Sequence, residues 1–137
     1  MTAVPDVLPH LDAVQAALEG VDLTVYVGGI PTDTGWSPPD KFCVLYPEPG
    51  MAVRDSLADD RSDFEATFQV TCVGGDPVRA LWVTGRVRRA LAVAPAVEGR
   101  KCHRPEDLGG PPLARDDDVT PPLWFVPVQY RLCSTPA

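Results

Sequence analysis

The stretch Arg61-Ser62-Asp63-Phe64-Glu65-Ala66-Thr67-Phe68-Gln69-Val70-Thr71-Cys72-Val73, running into Gly74-Gly75-Asp76-Pro77, sets the frame for the whole chain. Phe64, Ala66, Phe68, Val70 and Cys72 fall on every second position, with Glu65, Thr67, Gln69 and Thr71 between them. Period two over so long a run predicts a strand with one buried face and one face left to solvent or a partner. Gly74 and Gly75 allow a sharp exit. Asp76 is a good helix N-cap, and Pro77 suits the first helical position because its missing N–H needs no partner there.

The helix that follows, from Pro77 to about residue 94, carries two apolar stripes. At 100° per residue Ala80, Val83, Val87 and Leu91 share one face. Val78, Leu81, Trp82 and Gly85 lie nearly opposite, flanked by Arg79, Arg86 and Arg89. A surface helix normally has one such stripe, so the second calls for cover from the N-terminal helix or from another subunit.

Outward from this unit, residues 6–19 read as a helix with Val7, Leu11, Val14 and Leu18 on one side, Pro9 in the first turn and Gly20 as its stop. Residues 22–27 read as a short strand ended by Gly28-Gly29. Residues 31–40 read as a loop anchored by Trp36. Residues 41–46 are nearly all apolar and predict a central strand covered on both faces. Pro47-Glu48-Pro49-Gly50 should stop that strand, and 51–60 shows no helical period. A loop of that length is usually functional or mobile, or else an exposed excursion. Arg100-Lys101-Cys102-His103-Arg104 is a short basic run, either a patch for an acidic partner or a solvated strand or turn. Residues 108–120, with Asp116-Asp117-Asp118, read as solvated loop, since the glycine and distal glutamate of a calcium loop are missing. Residues 123–133 alternate again, and Pro127 argues for an edge strand or a bulge.

Composition narrows the function. The chain has 137 residues and a formal net charge of -7, which reads as one domain spanning 1–137 and disfavours tight nucleic-acid binding. The first basic residue, Lys41, argues against a signal or transit peptide, and no apolar run is long enough for a membrane helix. Cys43, Cys72, Cys102 and Cys133 lack C-x-x-C spacing, so buried free thiols are expected, with zinc ligation alongside His103 as the alternative. No nucleophile elbow, zincin motif or Walker lysine is present. His10 and His103 sit in unrelated contexts. The expectation is a protein without catalytic residues, cofactor or metal.

Leu57-Ala58-Asp59-Asp60-Arg61-Ser62-Asp63-Phe64, then Phe68-Gln69-Val70-Thr71-Cys72-Val73-Gly74-Gly75, then Ala80-Leu81-Trp82-Val83 with Arg86-Val87-Arg88-Arg89-Ala90-Leu91, carry a resemblance. Together with the order of elements, they resemble the tail terminator (tail-completion) proteins of long-tailed bacteriophages, in versions from phages of GC-rich actinobacterial hosts. Ten arginines against two lysines and the absence of Asn fit such coding bias.

The resemblance implies an α+β fold, an antiparallel or mixed sheet of about four to six strands with two main helices on one face. It implies a hexameric ring that caps the head-proximal end of the tail tube and meets the head–tail connector. Such a protein resides in the virion neck, and in the host cytoplasm during assembly. Genome DNA would pass through the lumen without specific binding, helped by like-charge repulsion. A helix with two apolar faces suits a subunit with a neighbour on each side. The residues expected at the subunit or tube interface are Met51, Arg54, Leu57, Asp59, Asp60, Arg61, Arg79, Trp82, Arg86 and Arg89. Other readings are a head-completion or connector protein of the same neck, and a small-molecule binding domain with Trp36, Trp82 and Trp124 around a pocket.

Overall fold

A computed structural model describes residues 4–53 and 62–137. It is an α+β fold: two helices lie on one face of a mixed, mostly antiparallel eight-stranded sheet. The strand count exceeds the four to six expected, for a reason visible at both edges.

The centre is the pair β4 (Asp63–Gly74) and β8 (Leu123–Pro136), antiparallel and in unbroken register from Phe64↔Ser134 to Gly74↔Trp124. The helix-side rows run Cys43↔Cys72↔Val126 and Leu45↔Val70↔Val128, with Phe68 stacked on Tyr130 at 5.6 Å. The opposite rows run Phe42↔Val73↔Phe125, Val44↔Thr71↔Pro127 and Tyr46↔Gln69↔Gln129. Burial of alternate β4 residues follows the period of two read from the sequence.

On one edge of β4 lie both β2 (Lys41–Pro47) and β3 (Met51–Val53). Pro47-Glu48-Pro49-Gly50 therefore kinks the chain without ending its pairing. Two prolines interrupt the ladder, Gly50 takes φ 70°, and Met51 rejoins β4 opposite Glu65. A Cβ on Gly50 would meet the Phe64 ring at 2.6 Å. The segment expected as loop thus begins with strand, while Arg54, Leu57, Asp59, Asp60 and Arg61 fall outside the described residues.

The far edge of β8 is tiled by three short strands in succession. These are β5 (Arg100–Cys102), β6 (Glu106–Gly109) and β7 (Ala114–Asp116). Residues 108–120, read as loop, therefore contain pairing, and β8 is an inner strand despite Pro127. The ladder has a gap at that point: β6 ends with Gly109 opposite Gln129, β7 begins with Ala114 opposite Phe125, and Gly110 packs against the Pro127 carbonyl. The missing N–H of Pro127 falls where no strand asks for it.

α1 (Val7–Glu19) starts at Asp6, whose carboxylate accepts from the Leu8 N–H at 3.1 Å. A turn beyond Gly20 follows, and the left-handed residue there is Asp22, at φ 61°. That turn shortens the next strand from the expected 22–27 to β1 (Val25–Val27), parallel to β2. α2 (Pro77–Ala90) stops short of residue 94, with Leu91 as its cap. Leu91 is buried in the core, and Pro95 disfavours helix for the residue before it. Val14 and Leu18 of α1 and Ala80, Val83 and Val87 of α2 join the helix-side sheet residues in one cluster. Both helices occupy the same face, as expected.

Candidate functional site

α2 presents an exposed apolar face. Asp76 caps it, accepting from the Arg79 N–H at 2.8 Å, and Ala80, Val83, Thr84, Val87 and Ala90 turn toward the sheet. Helical geometry then sends Val78, Leu81, Trp82 and Gly85 outward. Val78 is 77% exposed, Leu81 56% and Trp82 37%. The second stripe is thus not covered by α1.

Two cations bracket the indole: Lys41 Nζ lies 4.1 Å and Arg86 Cζ 4.6 Å from Trp82 ring centroids. Each such contact contributes about 0.5–1 kcal/mol at an exposed site. Arg79 differs in role. It bridges Asp40 at 2.8 Å and Asp76 at 2.8 Å, tying the end of the 28–40 loop to the helix start and neutralising its own charge. Arg88 points to the side, to Asp107 of β6 at 2.8 Å. Arg89 is exposed, with no ion pair among the described residues.

Of the residues expected at an interface, the fold brings together Trp82, Arg86 and Arg89, with Arg79 beside them. Met51, 59% exposed, belongs elsewhere. It sits opposite Glu65, whereas Lys41 sits opposite Gly74, so roughly 30 Å of strand separates it from Lys41 and the Trp82 contact.

A second face lies on the other side of the sheet, and the sequence reading did not assemble it. Phe42, Val44 and Val73 are buried there under Tyr26, Leu123 and Phe125. Trp36 packs edge-on against Tyr26 and Phe42, at 5.7 and 6.3 Å. Apart from Tyr26 and Trp36, this cluster lines an open groove of about 650 Å³, completed by Ile30, Tyr46, Val119 and the carboxylate-bearing Asp116. Gln69 adds an amide to its lining and accepts from the Gln129 side chain at 2.7 Å. The available signal was the unbroken apolar run of β2, which required both sheet faces to be covered.

The three tryptophans do not gather around a pocket. Trp36 belongs to the open sheet face and Trp82 to the outer side of α2. Trp124 packs against the helix-side core with Arg115 over its ring at 5.7 Å. None of them lines the groove.

All four cysteines are free thiols, and the described residues contain no group of three or more His, Cys, Asp and Glu arranged to hold a metal. Burial pushes Cys43 up to about 12 and Cys72 up to about 11. His10 and Ser134 form a hydroxyl–imidazole pair at 2.7 Å, which sequence reasoning missed. Ser134 is 1% exposed, and its hydroxyl also accepts from Arg100 Nε and Nη2 at 3.1 and 3.0 Å. That hydroxyl is enclosed and engaged on every side, so the pair locks α1 onto β8.

No family model and no curated protein matches the chain. Solved structures share its fold, among them these two. One is a chain of the virion of a native gene transfer agent particle, with TM-score 0.63 and 14% identity, covering 93% of each chain. The other has TM-score 0.56 and 19% identity, covering 91% of this chain and 95% of its own. At these identities the likeness is one of fold.

Proposed function

We propose that this chain is a non-catalytic structural protein of a phage-like virion, and that it caps the head-proximal end of the tail tube as a ring. The observation that carries the reading is the fold shared, over nearly the whole chain, with a chain of a gene transfer agent virion. Support also comes from the outer α2 stripe, since an apolar face left uncovered in the protomer suits a subunit that assembles. In this reading the ring stops tube polymerisation and presents its other rim to the head–tail connector. DNA passes through an acidic lumen without binding, which the net charge of -7 favours.

The test is light scattering of the purified protein over a wide concentration range, with negative-stain images, followed by addition of polymerised tail tubes. Closed six-membered rings seated on tube ends are the expected result. Rings that bind the capsid connector and ignore tubes would move the protein to the head-completion side of the neck. A chain that neither forms rings nor binds tube ends would overturn the reading.

A further inference from the structure

We infer that neighbouring copies of this chain join head to tail, the Trp82 face of α2 on one copy seating in the groove on the opposite sheet face of the next. This deepens the ring reading and rests on it for closure alone. Three observations lead to it.

The first is placement. α2 lies on one side of the sheet with Val78, Leu81 and Trp82 turned away from it. The groove lined by Ile30, Tyr46, Val119 and Phe125 opens on the other side. Two apolar patches on opposite sides of a protomer can each meet the other's counterpart, which is the geometry of a heterologous contact that repeats around a ring or along a filament. The groove's volume of about 650 Å³ is of the size that takes up an apolar ligand, enough for protruding side chains such as Leu81 and Trp82.

The second is charge. In a chain of net charge -7, the α2 face gathers Lys41, Arg86 and Arg89, none with a carboxylate partner among the described residues. On the groove side Asp116 lines it, and Asp117 and Asp118 follow directly in the chain as an anionic rim. Among the described residues only Asp117 of the three is ion-paired, to Arg115 at 2.6 Å, and Asp116 accepts from the Asp118 N–H at 3.0 Å. Cationic patch and anionic rim are complementary. A symmetric pair through α2 alone would set cations against cations, so the two-patch contact is preferred.

The third is Gly85. A glycine in mid-helix is destabilising, and a Cβ there would meet nothing among the described residues within 4 Å. Packing inside the protomer gives no reason for it. On the outward face beside Trp82, it leaves the helix backbone open to close approach by a neighbour.

The test uses the full chain with charges exchanged at each patch. Lys41→Glu with Arg86→Glu reverses the helix face, and Asp116→Lys with Asp118→Lys reverses the rim. Each pair of substitutions alone should raise the concentration for half-association by about tenfold or more. An equimolar mixture of the two variants, or one chain carrying all four changes, should recover association. Leu81→Glu, at a site too exposed to disturb the core, should weaken association to a similar degree while leaving unchanged the melting temperature measured at concentrations where both proteins are monomeric. Association unaffected by any of these variants, or a wild-type chain monomeric at every concentration, would overturn the inference. Rings that persist in all the variants would sink this contact and leave the ring reading standing. Open filaments abolished by the variants and recovered in the mixture would support the contact and sink the ring reading.

Discussion

Nε2 of His10 stands 2.7 Å from Oγ of Ser134, joining the first helix to the last strand across 124 positions of sequence. The donors can be assigned. The Asp6 carbonyl can only accept, so His10 Nδ1–H donates to it at 2.6 Å, leaving Nε2 to accept the Ser134 hydroxyl proton. Arg100 fills the remaining acceptor capacity of that hydroxyl, and the imidazole stacks on Phe64 at 4.3 Å.

This network needs a neutral imidazole. Burial, with the Arg100 charge adding to it, holds His10 below its usual 6.5 against the raising pull of Asp6. Because the folded value lies below the unfolded one, the unfolded chain binds the proton first. The associated stability is present above about pH 6.5 and is lost as pH falls through the folded value. Melting temperature should therefore decline on acidification from pH 7 toward 5, and less so in His10→Gln. At pH 7.5 that variant should lose about 1–3 kcal/mol to the broken network. Parallel pH profiles for the two proteins would remove His10 as the cause.

The two stripes of α2 should separate cleanly in urea titrations. Val83→Ala and Val87→Ala remove fully buried methyls and should cost roughly 2 kcal/mol each. Val78→Ala and Leu81→Ala, on the exposed side, should stay within about 0.5 kcal/mol for the monomer. Gly85→Ala should stabilise the monomer by up to about 1 kcal/mol, since the new methyl enters open space. A large loss at Leu81 would mean that this face is covered within the protomer.

Tyr130 offers a contrasting test. Its ring stacks on Phe68 in the core, but its hydroxyl is buried without a hydrogen-bond partner among the described residues. Removing the hydroxyl relieves that desolvation, so Tyr130→Phe should be neutral or stabilising by about 1 kcal/mol in thermal unfolding. Destabilisation beyond that would reveal a bound water or another partner at the phenol.

Thiol labelling should divide the cysteines in two. Cys43 and Cys72 face each other across β2 and β4, fully enclosed and held protonated, so at pH 8 they should react only after unfolding. Cys102 and Cys133, partly exposed, should react in the native protein, at less than the rate of a free thiol because burial raises both. Mass spectrometry after a short pulse of iodoacetamide distinguishes the pairs.

Elements whose identity rests on a local period were legible in the residues. The alternation of β4 and β8, the capped start of α2 at Asp76-Pro77, and its two stripes all recur in the structure. What could not be read is the partner that completes a segment. Residues 106–109 and 114–116 have no strand period and pair because β8 offers them an open edge. Met51–Val53 becomes strand because β4 outlasts β2 at that end. Of the expected interface, the α2 group followed from helical spacing, while Met51 lies at the far end of the sheet.

The sequence by itself determined which residues of each long element face inward, because that follows from the fixed geometry of one helix turn or one strand pleat. Only the tertiary structure decided that His10 meets Ser134, that Pro127 falls in a gap between two short strands, and that Phe42, Val73 and Phe125 support a groove opposite α2. Those arrangements join positions far apart in the chain, and no local period records which distant backbone edge or side chain will stand alongside.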